Sequence, residues 1–317
     1  MKRSLLAVAL LPLALVAACG ADPTTATNAS AQVGGVNTSP EQNRVTTTKN
    51  EAAAALLPAK VRERGSLIVG FGFGAGSPPL GFIADDNKTP IGLELDIAYL
   101  VTGALGLKPD VQVTSWENLF IGLDSAKYDV GFTNITVTEK RKQKYDFATY
   151  RKDDLAFEAK KGGSWKVTEG KDIAGKTIAV GTATNQEKIL VDWNEANVKA
   201  GLPAATIKYF QSQSDTYLAL SSGRLDAYFG PNPSIAYHIQ TSGQTESIGK
   251  FSGAGPTLQG LIAATTKKDS GLVQAYQAAL NAVIADGSYA KVLERWNVAN
   301  EAIEKSEINP PGLPITS

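Results

Sequence analysis

The 317-residue chain has one cysteine, one methionine and one histidine. A single cysteine excludes intramolecular disulfides and cysteine-based metal clusters. The folded part must therefore hold together through its apolar core. The lone histidine, His238, excludes a multi-histidine metal site and leaves a histidine-dependent triad without support. It reads as a packing or helix-surface residue. Net charge is also missing, because 31 Lys and Arg face 31 Asp and Glu. Such a balance gives no bulk attraction to nucleic acid. No apolar stretch beyond the first twenty residues is long enough to cross a bilayer. Nothing in the composition asks for a cofactor or a metal.

What is present begins with a targeting pattern. Lys2 and Arg3 precede an apolar run from Leu5 to Val16, followed by Ala17-Ala18-Cys19-Gly20. A basic start, a short apolar core and small residues at the stop make a secretory signal over residues 1–18. The alternative is an ordinary secretory peptide with a cysteine by chance. The position of Cys19 resembles the lipobox of bacterial lipoproteins, in which the cysteine thiol is lipidated and becomes the new N-terminus. That resemblance implies a lipid-anchored protein facing outside the cell membrane. Residues 19–57 are rich in Ala, Thr, Asn, Ser and Gly and lack an apolar period. They read as a flexible lipidated linker spanning roughly 35 Å as a coil. Ala52 to Leu57 can add a helical turn before Pro58.

The rest, roughly 250 residues, suits two medium lobes or one large domain. From Ser66 onward, strand-like and helix-like patterns alternate. Leu67–Val69, Val111–Val113, Tyr128–Phe132, Phe157–Ala159, Thr177–Val180, Ile207–Phe210, Ala227–Phe229 and Leu261–Ala264 read as strands. Leu93, Ile97, Leu100, Val101 and Ala104 lie at helical spacing, as do Leu272, Val273, Tyr276, Ala279, Leu280 and Val283. The alternation predicts an α/β fold with mostly parallel sheets and a ligand beyond the carboxyl ends of the strands.

Eight short motifs then fall in one order. They are Gly92-Leu93-Glu94-Leu95-Asp96-Ile97, Ser115-Trp116-Glu117-Asn118-Leu119, Lys127-Tyr128-Asp129-Val130, Ile135 to Arg141, Tyr145-Asp146-Phe147, Asp172 to Thr177, Gly223 to Ala227, and Asp286-Gly287-Ser288-Tyr289 with Arg295-Trp296. Together they resemble the extracellular solute-binding proteins of ABC importers, the polar amino-acid-binding group (family 3). The resemblance implies a two-lobe, type II periplasmic-binding-protein-like fold with two hinge crossings. The crossings are expected near Leu155–Lys160 and Leu261–Ala264. Lobe one would take 66–156 and 262–317, and lobe two 157–261. The ligand would lie in the cleft between them.

Arg141 carries the site chemistry. A carboxylate buried in a cleft needs a positive partner, and a guanidinium offers two parallel donors that match it. By composition alone Lys140, Arg141, Lys142 and Lys144 read as a solvated basic face. The resemblance places Arg141 at the carboxylate-binding arginine and leaves the lysines in solvent. It also implies that Thr136 adds a hydroxyl and an N–H to the same carboxylate, and that Asn134 offers backbone contacts. Thr182 to Gln186 open a helix whose exposed N–H groups favour an anion, so Thr184 and Asn185 are candidates beside their plain capping role. Trp116 stands where the family stacks an aromatic ring on its ligand, the alternative being a core tryptophan. Phe71 and Phe73 follow the first strand, and alternation sends one of them into the core. The aspartate that pairs with the ligand amine in glutamine-binding members aligns with Pro231. Asn232 next to it offers a carbonyl oxygen without charge. The ligand is therefore expected to bear a carboxylate and a weakly demanding, alkylated or cyclic, amine. Glu117 is a further acid that can turn inward, and Asp226 reads as structural.

The function so implied is a monomeric, lipid-anchored protein that captures a small carboxylate-bearing solute, an amino acid or derivative, and delivers it to an ABC importer permease. It would perform no chemistry. Two other readings are a same-fold enzyme, such as a cyclic carboxylic acid dehydratase, and a ligand-sensing receptor component. The first needs a positioned acid or base. The second needs a membrane partner.

Overall fold

The protein is described by a computed structural model covering residues 32–72, 78–210 and 212–315. The signal segment, Cys19 and Phe73 lie outside the described residues.

Two five-stranded sheets organise the chain. The first runs Lys108–Thr114, Ser66–Gly72, Val130–Gly131, Leu261–Lys267, Tyr145–Lys152. The second runs Thr206–Lys208, Thr177–Ala179, Ala227–Pro231, Asp154–Lys160, Thr245–Ser252. Ser66–Gly72 and Thr177–Ala179 each pair in parallel with both neighbours. The remaining pairs are antiparallel. Both sheets are therefore mixed, where the alternation predicted mostly parallel ones. The reason is a long ribbon in which 145–160 runs against 245–267 and supplies the antiparallel part of each sheet.

That ribbon also moves the crossings. The chain leaves the first sheet after Lys152, passes Asp153 and enters the second. It returns over residues 253–260. The expected crossing segments Leu155–Lys160 and Leu261–Ala264 are sheet strands instead, and their apolar residues are apolar because the sheets bury them. The crossing itself is marked by a buried aspartate and glycines. Asp153 accepts the Gly253 N–H at 2.8 Å through its carbonyl and donates its own N–H to Gly260 at 2.8 Å.

Helices Leu93–Ala104, Val273–Ala285 and Ser288–Arg295 cover the first sheet. The predicted stripe of Leu93, Ile97, Leu100, Val101 and Ala104 is fully buried there. The second core is built around aromatic rings, with Phe157 stacked on Phe229 at 4.1 Å between centroids. Helix Asn232–Ser242 was not among the elements expected from the sequence; Pro231 is its cap and Pro233 lies in its first turn. Proline in a first helical turn has no N–H to waste and a favourable φ, so the helix starts there without cost.

The linker expected over 19–57 is docked in its described part. Val36 and Gln42 are buried. Arg44 Nε donates to Asp96 at 2.8 Å, Arg295 donates to the Asn43 carbonyl at 2.8 Å, and the Asn50 N–H donates to the Ala104 carbonyl at 2.8 Å. Asn50 then caps helix Glu51–Ala55. The segment lacks an apolar period because it lies extended and is held by polar side chains.

Candidate functional site

Arg141 begins a short 3₁₀ turn, Arg141–Gln143, whose first N–H is accepted by the Thr138 hydroxyl at 3.1 Å. This turn aims the half-buried side chain across the gap between the lobes. Nη1 donates to the Thr136 carbonyl of lobe one at 2.9 Å, and Nη2 to the Ala183 carbonyl of lobe two at 3.2 Å. The guanidinium also lies over the rings of Trp116 at 5.3 Å and Phe120 at 5.5 Å. Burial lowers it to about 10 against the opposing field of Asp153, so it stays a cation at neutral pH. Both of its side-chain bonds go to neutral carbonyls, so an anion that displaces them gains a charged partner.

A cavity of about 540 Å³ opens beside this guanidinium, lined from both lobes by Phe120, Arg141, Lys144, Thr184, Asn185 and Glu187 among others. Thr184 caps helix Asn185–Lys199, accepting the Glu187 N–H at 3.1 Å and donating to Gly181 at 2.7 Å. The preceding Ala183 has φ +58°, a left-handed turn that an alanine adopts at a cost, and this turn presents its carbonyl to Arg141. Three predicted residues, Arg141, Thr184 and Asn185, thus line one interlobe cavity.

The other predicted residues have partners that change their roles. Thr136 is fully buried, and its hydroxyl lies 2.8 Å from Asp153 Oδ2 and 2.9 Å from Asn185 Oδ1. The hydroxyl serves the hinge rather than a free carboxylate, while the Thr136 carbonyl holds Arg141. The Asn134 N–H donates to Glu94 at 3.0 Å, and its side-chain oxygen accepts from Arg151. Its N–H is therefore not available for a ligand. Trp116 is buried edge-on to Phe120 at 4.9 Å and forms the platform under Arg141. Phe71 enters the core. Glu117 is exposed, and Asp226 is structural, accepting the Thr177 N–H at 2.8 Å. Lys140 and Lys144 are exposed, whereas Lys142 donates to the Asn309 and Pro310 carbonyls at 3.4 and 3.1 Å. His238 stacks on Tyr217 at 3.4 Å and pairs with Glu158 in the second lobe.

Sequence reasoning missed a buried charge cluster behind Asn134. Arg151 pairs with Glu94 at 3.0 Å and with Glu301, and Tyr150 donates to Glu94. Burial alone would lower the Arg151 guanidinium, but Glu301 and Glu94 hold it raised. Asn232 of lobe two donates to the other Glu301 oxygen at 3.5 Å. An acid thus stands beside the neighbour of Pro231, brought from a remote segment. The available signal was an arginine directly after the apolar residues Phe147, Ala148 and Tyr150 of strand Tyr145–Lys152, where burial requires an acidic partner. Among the described residues no group of three or more His, Cys, Asp or Glu is placed to hold a metal, and no helix is long and apolar enough to cross a membrane.

Residues 69–299 match the sequence profile of the bacterial extracellular solute-binding proteins, family 3. The chain is 28% identical over 239 residues to the L-cystine-binding protein TcyJ of Escherichia coli K12, covering 75% of this chain and 84% of that one. It is 26% identical over 299 residues to the L-cystine-binding protein TcyA of Bacillus subtilis 168, covering 93% and 97%. Among solved structures, an ancestral arginine-binding protein bound to arginine superposes with a TM-score of 0.63 at 27% identity, covering 74% of this chain and 98% of that one. With two mixed α/β lobes, a double crossing and a cavity between them, the chain belongs to the family 3 bacterial extracellular solute-binding proteins.

Proposed function

We propose that the protein captures a small carboxylate-bearing amino acid or derivative between its lobes, performs no chemistry on it, and delivers it to an ABC importer permease. The observation that carries this reading is Arg141. Its guanidinium reaches from one lobe to the other and rests on two neutral carbonyls at 2.9 and 3.2 Å. A ligand carboxylate replaces those carbonyls with a charge-assisted pair, and closing the lobes removes the pair from water. Thr184, Asn185 and the helix start behind them add dipolar support from lobe two. The relatives named for cystine and the arginine-bound ancestral structure support an amino acid as the cargo. In the same proposal, Cys19 is lipidated and the monomer is tethered outside the cell membrane.

A dehydratase reading asks for a general acid or base on the substrate. The one histidine is occupied by Tyr217 and Glu158, away from the cavity, which disfavours that reading. Native mass spectrometry of the protein without its signal, followed by calorimetry with L-cystine, L-arginine and L-glutamine, tests the proposal. Capture of an amino acid with one-to-one stoichiometry is expected. Binding of none of the three, with no co-purified carboxylate, contradicts it.

A further inference from the structure

Residues 300–315 follow the family-matched segment and cross from one lobe to the other beside Arg141. Their path is held by backbone bonds. The Thr149 N–H donates to Glu307 at 3.0 Å, and the Asn309 N–H donates to Phe147 at 3.1 Å, so the segment first runs along the outer edge of the lobe-one sheet. It then turns onto residues 137–139. The Leu313 N–H donates to Val137 at 3.2 Å, the Glu139 N–H donates to Leu313 at 2.9 Å, and the Gly312 N–H reaches the Glu139 carboxylate at 2.9 Å. The approach is close enough that a Cβ on Gly312 would sit 2.3 Å from the Val137 oxygen. From this lobe-one anchor, the Leu313 side chain enters the apolar core of lobe two. Leu313, Pro314 and Ile315 also line the cavity that contains Arg141 and Asn185.

We propose that Leu313, Pro314 and Ile315 form a third wall of the ligand site and select for an aliphatic stem next to the carboxylate held by Arg141. This rests on the reading of the interlobe cavity as the ligand site. Arg141 supplies the guanidinium of the cavity, and Lys140, Lys144, Glu187 and Lys188 also line it. Phe120 and Val191 add apolar lining to that of Leu313, Pro314 and Ile315. A methylene stem gains by leaving water against Leu313, Pro314 and Ile315, whereas a charge seated on those three side chains loses hydration there. The wall is set by a segment beyond the family-matched residues.

The double variant Pro314→Gly, Ile315→Gly tests the wall. It keeps every anchoring bond named above and removes two side chains that are both exposed on their outer side. Calorimetry of the parent and this variant with L-arginine, L-cystine and L-glutamine is expected to show the tightest ligand weakened at least about fivefold, or the order of preference changed. A second, ligand-free measurement is the rate at which phenylglyoxal modifies Arg141, followed by peptide mass spectrometry. It is expected to rise in the variant, because the guanidinium loses its cover. Failure of the parent to bind any of the three would strike the amino-acid reading, and the modification rates would still decide the wall. Equal rates, or equal affinities in the same order, overturn it. Should the double variant melt early, Ile315→Gly alone carries the comparison.

Discussion

The Asn185 side-chain amide donates to Asp153 Oδ2 at 2.9 Å, which ties the first turn of a lobe-two helix to the point where the chain crosses between lobes. The second amide hydrogen goes to the Gly253 carbonyl on the return crossing, also at 2.9 Å. Thr136 of lobe one completes the group, within 2.9 Å of both Asn185 Oδ1 and Asp153 Oδ2. Its hydroxyl has one hydrogen for these two acceptors. Burial raises the Asp153 carboxyl, against the opposing bonds from Thr136 and Asn185. Four residues from both lobes and both crossings thus share one small polar knot.

Gly253 is the tight point of that knot. A Cβ there would lie 1.8 Å from Asp153 Oδ2 and 2.9 Å from Asn185 Nδ2. Gly253→Ala is expected to destabilise the protein by about 1–3 kcal/mol through this overlap. Thermal unfolding followed by circular dichroism checks it, and an unchanged melting temperature would contradict the geometry.

Arg141→Ala is expected to weaken amino-acid binding by about 1.5–3 kcal/mol, the range for hydrogen bonds to a charged group. The fold should be little affected, because only two bonds to neutral carbonyls are lost. Calorimetry beside a melting curve separates the two effects. An affinity equal to that of the parent removes Arg141 from the site.

Much of this arrangement was readable beforehand, and the failures share a cause. The helix Leu93–Ala104 announced itself by local spacing, and Arg141 by its place in an ordered set of motifs. Asp153 gave no local signal, because its role depends on Thr136, Asn185 and Gly253 meeting at a crossing. Glu301 and Arg151 are 150 residues apart, and only the fold joins them. The docked segment before Asn50 lacks periodicity because its anchors are Arg44, Arg295 and Asn50, polar residues that in sequence look like solvent.

Glu301 leads to a pH prediction. Burial pushes its carboxyl up to about 7, opposed by an Arg151 that it shares with Glu94. A carboxyl raised on folding stabilises the protein fully below its unfolded value of about 4.3. That contribution is lost as pH rises through about 7. Glu301→Gln removes the titration. The drop in melting temperature between about pH 5 and about pH 8 should therefore shrink in the variant. An identical drop in parent and variant would show that Glu301 does not titrate in this window.

The docked N-terminal segment predicts slow amide exchange where a free linker would exchange at once. The Asn50 and Ala53 amides are each bonded, to the Ala104 carbonyl at 2.8 Å and to the Asn50 side chain at 2.9 Å. Arg44→Ala breaks the pairing with buried Asp96 and should speed exchange over residues 42–53. Hydrogen–deuterium exchange with peptide mass spectrometry reads this, and full exchange at the earliest time in the parent would contradict the docking.

The most direct measurement compares each amino acid with its own decarboxylated form in the calorimeter: L-arginine with agmatine, L-cystine with cystamine, and L-glutamine with 4-aminobutanamide. A cargo held by Arg141 through its carboxylate should lose at least about tenfold in affinity when that group is removed, and the loss should vanish in Arg141→Ala. An amine that binds the parent as tightly as its parent amino acid would contradict the account.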